Sequence, residues 1–581
     1  MKWLSRKLNR NQFMVLSGIV IGLTAGFAAV VLKTVVHFIN RLITYEYPVP
    51  VSTKEYVYLV FPFLGILITV FIVKYFFHGK SGKGIANVLY DIARRSSFVE
   101  KTKMYSQLIT SSITVGFGGS SGLEGPIAIT GAAIGSNYGR IYRMSYRDRT
   151  LLLAAGAAGG IAGVFNAPVT GVMFAVEVIL SGVSIIEFIP LILASVSGTL
   201  FSQAILHENI LFSFKLKQSF DYENIPFYVA LGLLCGTVSL YYSYLVLKIE
   251  AFFQGFKNVY TKALAGGLIL AVLCFVFPPL FGEGFSAVRN LADDQPLRSF
   301  RDSFWLPYLG QEWLLLVLIG AISLVKAVAT SVTIHSGGNG GNFAPSLFVG
   351  AHVGYFFAKL INSIGWFKLP ASNFTLVGMC GILSGVMYAP ITAIFLIAEI
   401  TGGYDLIIPL MTVSAIAYFF VKQVEPYSME TRRLANKGHI FTEDKDSNVL
   451  TTIKMDPWIE TDILTIAPDA LLGELITQVK VSKRNIFAVV DDDRNLLGVI
   501  LLDDIREVMF DQSQYDALPV SSVMKLPPAV IEKDEEMRSV MKKFDETGSW
   551  NLPVTDKGKY IGFISKSRLL GGYRTELIRQ S

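Results

Sequence analysis

Three glycine-rich segments interrupt otherwise apolar sequence: SGKGIAN (Ser81 to Asn87), GGSSGLEGP (Gly118 to Pro126) and GGNGGNFAP (Gly337 to Pro345). Glycine runs permit irregular backbone, and the proline that ends the second and third suits the first turn of a helix. Each segment therefore predicts a helix that starts inside an apolar layer with its first amides unpaired. Such an end carries about half a positive charge, so several converging ends hold an anion weakly enough to let it pass. A cation path would need carboxylates or carbonyl ends instead. The segments contain one carboxylate, Glu124, placed in the first turn of the second helix. A helix dipole stabilises a partly buried carboxylate there by up to about 2 kcal/mol, whereas an unpartnered one within a membrane costs about 2.5–3.5 kcal/mol. Glu124 is suited to be a tethered anion that leaves the site when protonated.

The elements that must position these segments come in two copies. Gly156 to Glu177 reads GAAGGIAGVFNAPVTGVMFAVE and Gly378 to Glu399 reads GMCGILSGVMYAPITAIFLIAE, so Gly156/Gly378, Ala167/Ala389, Pro168/Pro390, Thr170/Thr392 and Glu177/Glu399 pair without a gap. Upstream, Gly122/Gly341, Pro126/Pro345, Gly131/Gly350 and Gly135/Gly354 align as well. Duplicated apolar halves with matching Gly/Pro interruptions are the mark of a transporter fold whose broken helices meet at a central site. Glu177 and Glu399, equivalent in both copies, fit a shared structural role such as capping or subunit contact.

Composition agrees. Of 581 residues, 52% are hydrophobic and 17% charged, and the mean hydropathy is +0.48, which excludes an ordinary soluble enzyme. Apolar stretches run at about 13–39, 57–77, 150–180, 185–205, 226–247, 262–281, 312–333, 374–399 and 404–422, most near the roughly 20 residues of a spanning helix. Lys2, Arg6, Lys7 and Arg10 precede the first stretch, which lacks a cleavage site and is expected to be retained with its N-terminus cytoplasmic. The formal net charge of +6 is scattered around membrane segments, as positive loops require, so no nucleic-acid partner is expected. Cys235, Cys274 and Cys380 lie in apolar segments without metal-ligand spacing and read as core thiols.

From Asn448 the chain becomes charged and its apolar runs shrink to strand length. DILTI, a helix over 470–481, IFAVVD, LLGVIL and a helix from Asp503 repeat as AVIEK, DEEMRSVMKKF, NLPVTD, YIGFIS and a helix from Ser567. The expected organisation is an N-terminal segment at 1–12, an all-helical membrane domain at 13–424, a linker at 425–447 and two α/β modules at 448–510 and 511–581.

The GLEGP, GNFAP and GKGIA segments resemble the three signature segments of the CLC family of chloride channels and proton-coupled chloride antiporters, written GREGP, GxFxP and GSGIP. NAPVTGVMFAVE and YAPITAIFLIAE resemble its paired helices, and the C-terminal repeat resembles two CBS modules. The resemblance implies an inverted-repeat membrane domain of about 18 helices and a homodimer with one pore per subunit. It implies a plasma or inner-membrane location, with the CBS pair cytoplasmic and chloride as the transported ligand.

Carried over, Glu124 is the gate, and the anion-binding positions are Lys83, Gly84 and Ile85, Gly122, Leu123 and Gly125, and Asn342, Phe343 and Ala344. Lys83 replaces the family's central serine, and Ala86 its proline. The family's inner tyrosine corresponds to Tyr427 or, in another register, to Glu430. Val178 stands where antiporters often carry a proton-relay glutamate. Having no titratable group, it favours channel-like conduction, with proton-coupled antiport as the alternative. In CBS pairs that bind adenine nucleotides a Ser or Thr and an Asp three residues on contact the ligand; here each module holds half of that pattern, Asp504 after Leu501 and Ser565 before Arg568. A CBS-bearing divalent-cation transporter is the rival from another class, but it should show several carboxylates on membrane helices. GKSGKG (Gly79 to Gly84) lacks the leading glycine of a phosphate-binding loop, so no required cofactor and no enzyme activity are expected.

Overall fold

The computed structural model describes residues 8–44, 55–79, 84–180, 188–206, 220–301, 303–365, 367–435 and 455–571. The chain divides into two compact units, Met1–Ile440 and Phe441–Ser581.

The first unit is helical. Its α-helices are α1 (Arg10–Thr44), α2 (Glu55–Tyr75), α3 (Ala86–Arg94), α4 (Lys103–Gly116), α5 (Glu124–Ile141), α6 (Tyr146–Phe165), α7 (Pro168–Phe174), α8 (Phe188–Leu206) and α9 (Ile225–Gln254). There follow α10 (Val259–Val276), α11 (Phe285–Ala292), α12 (Glu312–Ser336), α13 (Phe343–Ser363), α14 (Ala371–Met387), α15 (Pro390–Thr401), α16 (Ile407–Val424) and α17 (Met429–Ala435). Among the described residues, 9 helices are long and apolar enough to cross a membrane.

The apolar stretches at 150–180 and 374–399, each continuous in the sequence, are each two helices. At the break Asn166 takes φ 55°, ψ 35° and Tyr388 takes φ 57°, ψ 36°, left-handed conformations that end α6 and α14. Ala167 (φ −125°) and Ala389 (φ −128°) then extend the chain, and Pro168 and Pro390 open α7 and α15. The two repeats thus break in the same backbone conformation although asparagine stands in one and tyrosine in the other.

Packing follows the duplication. A Cβ on Gly131 would lie 2.0 Å from the Gly156 carbonyl oxygen, and one on Gly350 would lie 2.3 Å from that of Gly378. Only glycine lets α5 cross α6, and α13 cross α14, at this separation. Helices α1, α6 and α8 pack mutually in the first repeat, and α9, α14 and α16 do so in the second. The repeats meet where the amides of Gly122 and Gly341 donate to each other's carbonyls, at 3.0 and 2.8 Å, as an antiparallel bridge. Because equivalent residues pair antiparallel, the two loops are related by a local two-fold axis at this bridge, as expected of inverted repeats.

The second unit contains two three-stranded sheets of the same topology. β1 (Thr465–Ile466) runs parallel to β2 (Ile486–Val490), which pairs antiparallel with β3 (Leu496–Leu501). β4 (Ile531–Glu532), β5 (Asn551–Asp556) and β6 (Lys559–Ser565) repeat this order. Helices α18 (Leu472–Val481) and α19 (Met537–Thr547) connect the first two strands of each sheet. The register shifts at Val489/Val490 in one sheet and at Val554/Thr555 in the other, equivalent places in the repeat. The expected helix from Asp503 is a 3₁₀ turn, Leu502–Ile505. Asp504 draws the chain back there by accepting the Leu501 amide at 3.2 Å.

Candidate anion site

Glu124 and Phe343 open α5 and α13. The preceding residues, Leu123 (φ −89°, ψ −12°) and Asn342 (φ −91°, ψ −3°), have nearly the same backbone conformation. Neither helix has a side-chain cap at its N-terminus, so its first amides remain for another acceptor. Glu124 supplies one. Its carboxylate, 1% exposed, reaches across the two-fold axis to accept the Ala344 amide through Oε2 at 3.4 Å. Its Oε1 is buried and has no partner.

A cavity opens beside this carboxylate. Gly84 and Ile85 line it from the first glycine-rich segment, Glu124 and Gly125 from the second, and Gly340, Gly341, Asn342 and Phe343 from the third. Phe174, Ile334, Met387 and Glu430 complete the wall. Phe343 is held from behind by Phe165 and Phe174, with ring centroids 5.5 and 6.3 Å away. The site is therefore a largely apolar chamber into which backbone amides and two carboxylates project. Such a chamber binds a dehydrated anion through its amides and expels one when a carboxylate occupies them.

A buried polar network fixes the loops. Asn339 donates its amide to Thr114 Oγ1 at 2.9 Å and its Nδ2 to Gln107 Oε1 and Thr110 Oγ1. Ser120 donates its amide to Thr333 Oγ1 at 3.2 Å. On the α12 side Lys326, fully buried, donates to the carbonyls of Gly282 at 3.1 Å and Leu280 at 3.4 Å, with its Nζ 4.6 Å from the Phe348 ring centre. The Gly282 amide in turn holds the Gly118 carbonyl at 3.1 Å. Glu283 follows this turn, takes a hydrogen bond from the Leu123 backbone, and lies close enough to Glu124, Lys33 and Lys326 to interact with each. Two carboxylates and two ammonium groups are thus gathered around one helix start. The sequence reading did not single out Lys326, Lys33 or Glu283; ionisable residues within apolar stretches are the signal that finds such groups.

Most positions expected at the site converge on it. Gly84, Ile85, Glu124, Gly125, Asn342 and Phe343 line the cavity, and Ala344 contributes its amide. Gly122 lies under the Glu124 carboxylate, and Leu123 is buried just before α5. Lys83 lies outside the described residues. Of the two residues left open for the inner position, Glu430 lines the cavity and Tyr427, one turn earlier, is not among its lining residues. The chain restarts as α17 at Met429, and Glu430, in its first turn, accepts the Ala86 amide at 3.3 Å. A tyrosine does stand near the site: Tyr242, fully buried on α9, donates its hydroxyl to Asn342 Oδ1 at 3.1 Å.

Glu177 and Glu399 cap helices, each in the other repeat. Glu399 accepts the Val169 amide at 2.8 Å, the Thr170 amide at 2.8 Å and the Thr170 hydroxyl at 2.6 Å. Glu177 takes the same three bonds from Ile391 and Thr392, at 2.9, 2.7 and 2.6 Å. Val178 sits beside it in a wide helical turn, Ala175–Ile179.

In the second unit the two half-patterns are already engaged. Asp504 pairs with Lys525 at 2.6 Å. Ser565 donates to Glu460 at 2.9 Å, and the same buried carboxylate pairs with Arg484 at 2.6 Å and lies 3.7 Å from Arg568.

Comparison with known proteins accords with this geometry. The family model described as voltage gated chloride channel matches residues 64–422, more than half of the chain, and the CBS domain model matches 456–511 and 520–574. Chloride channel protein CLC-f of Arabidopsis thaliana is 28% identical over 80% of this chain and 66% of its own length. The H(+)/Cl(-) exchange transporter ClcA of Vibrio cholerae is 29% identical over 52% of this chain and 62% of its own. The chain thus spans somewhat under two thirds of the length of these relatives. Among solved structures, a slow cyanobacterial Cl-/H+ antiporter shares the fold at TM-score 0.63 and 22% identity, covering 74% of this chain and 98% of its own. A eukaryotic CLC transporter does so at TM-score 0.61 and 19% identity, covering 96% and 97%. With two inverted repeats meeting at paired glycine loops and a CBS pair following them in the sequence, the chain belongs to the CLC, or voltage gated chloride channel, family of multi-span membrane proteins.

Proposed function

We propose that this protein carries chloride or a related anion across the membrane through the cavity between α3, α5 and α13, with Glu124 as its gate. One observation carries the reading: the Glu124 carboxylate occupies an amide of the α13 N-terminus, inside a cavity formed by all three glycine-rich segments. An anion that takes this position must displace the carboxylate, and protonation frees it. In this reading two copies assemble with one path each, and the CBS pair is cytoplasmic. An adenine nucleotide at Asp504 and Ser565 would have to displace Lys525 and Glu460.

The test is chloride efflux from liposomes holding the full-length protein. Glu124→Gln mimics the protonated gate and is expected to raise flux and weaken its dependence on pH. Wild-type flux with a wild-type pH profile would remove Glu124 from the path.

A further inference from the structure

The cavity holds a second carboxylate. Glu430 on α17 lines it together with Gly84 and Ile85, and its Oε2 accepts the Ala86 amide at 3.3 Å. Ala86 opens α3, a helix of 9 residues without a side-chain cap of its own. The carboxylate therefore sits where the dipole and free amides of α3 favour negative charge. Glu124 repeats the arrangement on α13: one oxygen on the Ala344 amide, the other buried and unpartnered in the same cavity. Each carboxylate comes from one helix and caps the start of another that follows a glycine-rich segment.

Among the described side chains, the charged and titratable groups packed around Glu430 are engaged elsewhere. On α9, Tyr242 is near enough to interact with it, but donates its hydroxyl to Asn342. On α3, Asp91 is paired with Lys103 at 2.7 Å and with Arg95 at 3.5 Å. Helix α14 contributes no acid or base other than the buried thiol of Cys380. In its own segment Glu425 and Arg432 pair with each other at 2.5 Å. Across the cavity stands Glu124.

Resting on the reading of this cavity as an anion path, we propose that Glu430 is a second tethered anion, in series with Glu124, which yields the α3 end of the path to a permeant anion when it takes up a proton. A tyrosine hydroxyl, the family's residue at the inner position, donates to an anion and does not compete with it. A carboxylate competes for the same amide and withdraws on protonation. Opening then requires two protons, one on each carboxylate.

The test is chloride flux from liposomes holding the full-length protein, with pH varied equally on both sides between about 8 and about 4, the range over which carboxylates change charge. Wild-type flux is expected to rise on acidification with a limiting dependence of two protons. Glu124→Gln and Glu430→Gln should each leave a dependence of one, and the double variant none. Glu430→Gln should also raise flux at neutral pH by about tenfold, the factor that a helix-dipole stabilisation of this kind corresponds to, and Glu430→Tyr should share its one-proton profile. A flat profile in Glu124→Gln alone would overturn the proposal, whatever the stability of the Glu430 variants. So would a wild-type profile in Glu430→Gln. Absence of chloride flux in every variant and in the wild type would overturn the transport reading itself, whereas flux altered by Glu124→Gln but not by Glu430→Gln overturns only the role of Glu430.

Discussion

Gly122 shows how tightly the Glu124 carboxylate, the proposed gate, is seated. A Cβ there would stand 2.1 Å from Glu124 Oε2 and 2.9 Å from the Ala344 Cβ. Gly122→Ala is therefore expected to push the carboxylate off the Ala344 amide, bringing flux near neutral pH toward that of Glu124→Gln, at a cost of about 1–3 kcal/mol for overpacking. Flux and melting temperature of the purified protein check the two effects; a wild-type pH profile with lowered stability would mean that the carboxylate keeps its seat. At this scale the sequence was legible wherever backbone conformation dictates residue type. Glycines before a helix start and a proline inside its first turn mark Glu124, Asn342 and Phe343 directly. Tyr427 and Glu430 were not distinguishable, because which of two residues one turn apart faces inward depends on where α17 begins, and Pro426 interrupts the chain before both of them. Lys326 and Glu283 act on the site from another part of the fold, so no local spacing connects them with Glu124.

The helices that carry these residues are held by exchange between the repeats. The N-termini of α7 and α15 each lack a cap from their own segment and receive a carboxylate from the partner repeat, Glu399 and Glu177 respectively. Each carboxylate satisfies two amides and a threonine hydroxyl, and bonds to a charged acceptor contribute more than neutral ones. Glu399→Ala and Glu177→Ala are each expected to lower stability by about 2–4 kcal/mol, and Glu399→Gln by less, since an amide keeps part of the pattern. Thermal unfolding in detergent checks this; a loss in one variant only would show that the exchange is not reciprocal in its energetics. Sequence comparison found both glutamates through the repeat and narrowed them to a structural role. It did not show that each serves the other half, because a gapless alignment pairs equivalent residues and contains nothing about which of them touch. The breaks at Asn166 and Tyr388 were hidden for a related reason: hydropathy does not fall where the chain turns, and only the Ala-Pro pair marks the place.

For the whole molecule, the arrangement of proton-carrying groups bears on how anion and proton movements are linked. Val178 offers no site for a proton, and its neighbour Glu177 is committed to the amides and hydroxyl at the start of α15. Among the residues lining the cavity, the titratable ones are Glu124 and Glu430. A proton that reaches the gate by way of these two carboxylates would use the proposed anion path, where each carboxylate and the anion exclude one another by like charge. Exchange at fixed stoichiometry needs the two movements to alternate along distinguishable routes, and Val178 provides no station for a second one. We therefore expect passive conduction: an imposed chloride gradient should drive little or no uphill proton movement into vesicles containing the full-length protein. Solved structures of the same fold include a Cl-/H+ antiporter, so the contrary outcome is a sharp one. Sustained uphill proton movement, abolished by Glu124→Gln, would replace conduction by exchange while leaving the anion path in place. If Glu430→Gln then abolished proton movement but preserved chloride flux, the cavity itself would be the proton route, with Glu430 taking the station that Val178 cannot fill.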